Sequence, residues 1–124
     1  MNKSPMREHA LLFGVDIIRL ARRLEIKKSY VIARQLLRCG TSIGANLAES
    51  VDAQSTNDFV NKVNIALKEA RETKYWFDLV YLSGIGSESA LDCQRRLNEI
   101  LAMLVATKKT IKNKQQKPNN TSAL

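Results

Sequence analysis

The stretch ARQLLRCGTSIGANLAE, residues 33–49, reads as one uninterrupted helix. It carries Gly40 and Gly44 one turn apart, and it sets Arg34, Arg38, Asn46 and Glu49 among apolar neighbours. A glycine inside a helix costs roughly 1 kcal/mol relative to alanine, so two of them call for a structural reason. Close approach of another helix supplies it, together with a polar stripe that the neighbour must satisfy. Gly40, Gly44, Ala45 and Ala48 make a smooth strip suited to tight packing within the chain, or alternatively between subunits.

Working outward, the prolines stand only at Pro5 and Pro118, so more than a hundred residues run without a helix-breaking ring. Phe13, Ile17, Leu20 and Leu24 share a face of a first helix over about 7–25. The second helix covers about 30–52, with Ser29 as its N-cap and an apolar face led by Tyr30, Ala33, Leu37, Gly44, Ala48 and Val51, widened by Leu36, Ile43 and Leu47. The third, about 56–83, opens on Ser55 and Asp58 in capping-box order. Phe59, Val63, Ala66, Ala70, Thr73, Phe77 and Val80 then alternate by fours and threes up to a stop at Gly84. After Ser87 the same rhythm returns in Cys93, Leu97, Ile100, Leu104, Thr107 and Ile111, a fourth helix over about 88–111. Short links make successive helices antiparallel neighbours, which predicts an all-α, up-down-up-down four-helix bundle. Residues 1–111 form this domain, and 112–124 form a basic, polar C-terminal tail that reads as frayed or disordered.

The chain has 124 residues and a formal net charge of +8, which favours polyanions as partners. Five of those charges come from Lys108, Lys109, Lys112, Lys114 and Lys117, because no acidic residue follows Glu99. The rest of the chain is only mildly basic. Two cysteines, Cys39 and Cys93, lie in apolar helical surroundings and make neither a disulfide framework nor a zinc site. Asp16 interrupts the first apolar run too early for a signal-peptide core, and no stretch is long enough to span a bilayer. The expectation is a cytoplasmic protein with no membrane partner.

Two ordered blocks resemble the family of 23S ribosomal RNA intervening-sequence proteins. One is Ala33–Arg34–Gln35–Leu36–Leu37–Arg38, continued by Thr41–Ser42–Ile43–Gly44–Ala45–Asn46–Leu47–Ala48–Glu49. The other is Asp58–Phe59, Lys62, Ile65–Ala66–Leu67–Lys68–Glu69–Ala70–Arg71–Glu72–Thr73 and Tyr75–Trp76. The resemblance extends over about residues 8–110, with Ser50 where the family has glycine and Cys39 where it has serine. It implies a four-helix bundle that often assembles as a homopentamer. Some members are encoded inside insertions of 23S ribosomal RNA genes, and a related branch accompanies reverse transcriptases of diversity-generating retroelements, engaging nucleic acid with a basic pentamer.

The residues give little to an enzyme. The single histidine, His9, lies away from both blocks, no Glu-x-x-His pair marks a di-iron site, and no glycine-rich phosphate loop is present. No cofactor and no metal are expected. Arg34, Arg38, Asn46 and Glu49 instead face Glu69, Glu72 and Thr73 as a network locking the second helix to the third, with free arginines gripping phosphate as the alternative. Tyr75 and Trp76 read as core or interface anchors rather than base-stacking platforms, in a chain only 6% aromatic. The nucleic-acid candidates are therefore the five tail lysines, extended by Arg95 and Arg96 and multiplied by oligomerisation. The expected function is a non-enzymatic, homo-oligomeric RNA-binding bundle. The alternatives are a protein-interaction scaffold, for instance for a nucleic-acid enzyme, and a genetic-element passenger with no host function.

Overall fold

The computed structural model describes residues 5–85 and 88–122, with side chains for 5–85 and 90–115. Four helices follow one another: α1 (Pro5–Ile26), α2 (Tyr30–Ser50), α3 (Thr56–Leu82) and α4 (Glu88–Ser122). Each packs on two neighbours, α1 on α2 and α4, α3 on α2 and α4, and the diagonal pairs do not meet among the described residues. Cross-helix contacts fix the directions. Glu49 pairs with Lys62 while Arg38 pairs with Glu72, and Met6 lies at Thr107 while Asp16 lies at Arg96. Numbers rise on one helix as they fall on the other, so α2/α3 and α1/α4 are antiparallel. The protein is an all-α four-helix bundle.

The turns have distinct chemistry. Pro5 opens α1, where its missing N–H is no loss. At the other end the Lys28 N–H donates to the Glu25 carbonyl and the Ser29 N–H to the Leu24 carbonyl, both at 2.9 Å. This is a Schellman closure with Lys28 at φ 65°, a left-handed position usually taken by glycine. Ser29 holds the N-cap position of α2, yet its hydroxyl makes no capping bond, and its backbone carbonyl does the work by accepting from Ala33. Ser55 is a full cap: its Oγ accepts from the Asp58 N–H at 3.1 Å, and the Asp58 carboxylate accepts from the Gln54 N–H at 3.3 Å. Gly84, at φ 79°, ends α3. Ser87 lies outside the described residues.

The core runs along the bundle axis through Phe13, Ile17, Leu20 and Leu24, then Val63, Ala66, Ala70 and Phe77, then Leu97, Ile100 and Leu104. Each such side chain contributes roughly 1.5–3 kcal/mol on burial if it is Val, Leu, Ile or Phe. On α2 the inner face matches the sequence expectation at Ala33, Leu36, Ile43 and Leu47 and differs from it elsewhere. Ala33, Leu36, Cys39, Gly40, Ile43 and Leu47 are buried, whereas Tyr30, Leu37, Ala48 and Val51 stand exposed. The helix carries two apolar faces, and the one containing the small residues Cys39 and Gly40 turns inward. Both cysteines are free and buried. Burial pushes the Cys39 thiol above its usual value and the Cys93 thiol up to about 11, with Asp16 adding to the effect at Cys93.

The fourth helix also differs from expectation, continuing past Ile111 to Ser122. Lysine and glutamine are good helix formers, which accounts for the helix as far as Lys117, whereas nothing in the residue types explains its continuation through Pro118 to Ser122. Because Met6 meets Thr107, α4 from Lys108 onward runs past the start of α1, although Ile111 still packs against the core.

Candidate functional site

Two regions hold the residues singled out in the sequence. The first is the α2–α3 seam. Arg38 is its hub: the guanidinium donates to Glu72, reaches Glu69 at 3.5 Å, and is steadied within α2 by Gln35 at 2.9 and 3.2 Å. The Trp76 indole N–H also donates to Glu72, at 3.0 Å. That bond, with the Arg38 charge behind it, holds the Glu72 carboxyl below its usual value against partial desolvation. Glu69 is the less satisfied partner, since its buried Oε2 is within ion-pair reach of Arg38 but makes no hydrogen bond. Thr73, fully buried, turns its hydroxyl back to the Glu69 carbonyl at 2.7 Å.

The expected network is smaller than the sequence suggests. Glu49 pairs with Lys62 of α3 at 3.0 Å, an interaction the residue types did not single out. Asn46 donates to the Ser42 carbonyl and hydroxyl of its own helix, at 2.8 and 3.2 Å, and takes no part across the seam. Arg34 is exposed and lines a separate groove with Glu25, Tyr30 and Leu37. The aromatic pair divides as well: the Trp76 ring packs against the core while Tyr75 is 57% exposed, edge-on to it with centroids 5.5 Å apart. Within the chain, Tyr75 is not a core anchor.

The glycine strip faces α1. A Cβ on Gly40 would stand 2.9 Å from Ile17 Cγ1, and one on Gly44 would stand 3.4 Å from the Ala10 carbonyl oxygen. The missing side chain of Gly40 therefore lets α1 and α2 approach within this chain, whereas at Gly44 a methyl would make only ordinary van der Waals contact. Outside that contact, Leu11, Gly14, Val15 and Ile18 of α1 and Gly44 and Ala45 of α2 line a shallow apolar groove of about 230 Å³ open to solvent.

The second region is basic. Lys108, Lys109, Lys112 and Lys114 are exposed on the overhanging part of α4, and none has an acidic partner among the described residues. The Lys117 side chain lies outside the described ones. Arg95 and Arg96 stand differently: Arg95 pairs with Asp92 of its own helix at 3.5 Å and Arg96 with Asp16 of α1 at 3.3 Å. Their charges are already partly matched, and the structure does not join them to the α4 lysines. His9 lies 3.4 Å from Glu99, a pair that forms an ion pair only when the imidazole is protonated. Among the described residues no group of His, Cys, Asp and Glu converges to hold a metal ion, and no helix is long and apolar enough to cross a membrane.

Against known proteins, residues 2–106 match the family model described as 23S rRNA-intervening sequence protein. The chain is also similar to a crystal structure from Bacteroides thetaiotaomicron, described as a protein with unknown function from the S23 ribosomal protein family. The two are 40% identical, the match covers 84% of this chain and 98% of that one, and the TM-score is 0.80. No curated protein matches the chain.

Proposed function

We propose, from the premise that the chain belongs to the 23S rRNA-intervening sequence protein family, that it is a non-enzymatic, cytoplasmic RNA-binding bundle working as a homo-oligomer. The observation that carries this reading is the set of exposed lysines on the overhang of α4, Lys108, Lys109, Lys112 and Lys114, which have no acidic partner among the described residues. Spaced along one helix with no acidic residue after Glu99, they favour phosphate contact and counterion release rather than base readout. Assembly multiplies the effect, because each added copy brings its own set of lysines to the same strand. The solvent-facing apolar groove between α1 and α2 supports such assembly. In this reading Arg38 locks helices and leaves phosphate binding to α4.

A salt series tests the reading. Wild-type protein, freed of nucleic acid by nuclease, is expected to bind single-stranded RNA with an affinity that falls steeply as salt rises. Replacing the four lysines by glutamine is expected to lower the slope by up to about 2.8 per chain, at roughly 0.7 per neutralised phosphate. An unchanged slope would move the contact away from α4, and no binding at low salt would sink the reading. A scaffold for another protein is the second reading, favoured by the same apolar groove. Co-purification of one protein from the native cell, surviving nuclease, would put it first.

A further inference from the structure

We infer that the outward face of α3 is a second contact for single-stranded RNA, in which Tyr75 stacks on an unpaired base and Asn57, Asn61, Asn64, Lys68 and Arg71 follow the adjoining backbone. The inference rests on the RNA-binding reading and adds to it a site with base contact.

Spacing comes first. These six residues follow one another by four, three, four, three and four positions, so they form one straight row on α3, and all six are exposed. From Asn57 to Tyr75 the row covers about 27 Å at 1.5 Å per residue. It lies opposite the buried row of Val63, Ala66, Ala70, Thr73 and Phe77, so it faces away from the rest of the bundle.

Composition comes next. Asparagine is a poor helix former, disfavoured relative to alanine by up to about 0.7 kcal/mol at each position. Asn61 and Asn64, in the interior of α3, therefore work against the helix that carries them, while Asn57 lies in its first turn. None of their side-chain amides has a hydrogen-bond partner among the described residues, so they return nothing to the fold. An amide that both donates and accepts suits ribose hydroxyls and base edges. Lys68 and Arg71 form no ion pair among the described residues, whereas Lys62 and Lys74 on the flanks of the same helix do. The row has no acidic member. Glu72, whose carboxyl also feels the Lys68 charge, is already engaged by Arg38 and Trp76.

Tyr75 supplies the aromatic surface. Tyr75 is 57% exposed and its ring meets Trp76 edge to face, at an interplanar angle of 71°. Trp76 is in turn held by Glu72, so Tyr75 is buttressed on a fixed neighbour rather than left to swing. A buttressed, solvent-facing ring one turn from Arg71, on a row that also carries Lys68 and the amides, fits an unstacked base better than a duplex, whose bases are already stacked.

The test measures binding of a labelled polyuridine oligomer to full-length variants. Tyr75→Ala is expected to weaken binding about fivefold or more with an unchanged salt slope, while Tyr75→Phe retains affinity. Lys68→Gln/Arg71→Gln is expected to reduce the slope by about 1.4, at roughly 0.7 for each phosphate. Asn61→Ala/Asn64→Ala keeps the fold secure, since alanine favours the helix, and is expected to bind more weakly at equal or higher thermal stability. Wild-type affinity in all these variants, alongside loss on removing the α4 lysines, overturns the α3 site and leaves the general reading standing. If wild-type protein does not bind polyuridine at low salt, both fall. If the variants lose binding only by dissociating into smaller species in light scattering, the row is a subunit contact and the inference is overturned.

Discussion

Gly40 and Gly14 sit in the same bundle and answer the same substitution in opposite ways. A methyl on Gly40 would press on Ile17 at 2.9 to 3.2 Å, and Ile17 is fully buried and β-branched, so its near carbons cannot swing aside. Overpacking of this kind costs about 1–3 kcal/mol, more than the roughly 1 kcal/mol that alanine returns in helix propensity. A Cβ on Gly14 meets nothing within 4 Å. Gly40→Ala is therefore expected to lower the thermal midpoint and Gly14→Ala to raise it by a few degrees, measured by circular dichroism. Equal shifts would remove the close-approach account of the α2 glycines. This contrast was half legible beforehand: spacing marks Gly40 and Gly44 as needing a neighbour, but no spacing rule says which glycine touches backbone, which touches Ile17 and which touches water. Lys28 was not legible at all, because a lysine gives no local sign that the chain will hold it at φ 65°.

For the helices as units, the seam between α2 and α3 depends on charge, and its pH response follows. The Trp76 hydrogen bond and the Arg38 charge hold the Glu72 carboxyl below its unfolded value. A depressed carboxyl stabilises the fold above its unfolded pKa, and this contribution is lost as pH falls through the folded value. Glu72→Gln is expected to cost about 1 kcal/mol at neutral pH, with exposure of the Arg38 pair keeping the figure modest. The difference from wild type should shrink on acidification below the ordinary carboxylate range, and chemical denaturation at several pH values reads it directly. A gap that stays constant with pH would assign the loss to packing of Trp76. The existence of this seam was visible in Arg38, Glu69 and Glu72, because antiparallel helices bring such residues level. Its membership was not, since helix periodicity gives a face but not a partner: Lys62 takes Glu49, and Asn46 is satisfied within α2. The α2 face departs in part from the sequence expectation for a related reason, since Ala33, Leu36, Ile43 and Leu47 are buried as expected while four other members of it stand exposed. Tyr30, Leu37, Ala48 and Val51 make a second, sparser apolar stripe interrupted by Arg34 and Thr41, and hydrophobicity alone does not place its apolar members outside.

Across the whole molecule, the outward stripe, the groove and the charge bear on a single question, which is whether copies of this chain act together. A protein of net charge +8 repels its own copies, so association needs a face where apolar contact outweighs that repulsion. In the proposed assembly the α1–α2 groove, lined by Leu11, Val15 and Ile18 around Gly14, would serve as that face. Gly14→Arg introduces a long charged side chain where the isolated bundle has open space, so the fold should persist while the groove is blocked. Sedimentation is expected to show the variant at the mass of one chain. Its RNA affinity should fall about a hundredfold from lost multivalency, although each chain keeps every lysine. A variant that remains assembled would move the contact to another face. A variant that becomes monomeric yet binds RNA as tightly as wild type would show that one chain's lysines suffice, and avidity would then have no part in the mechanism.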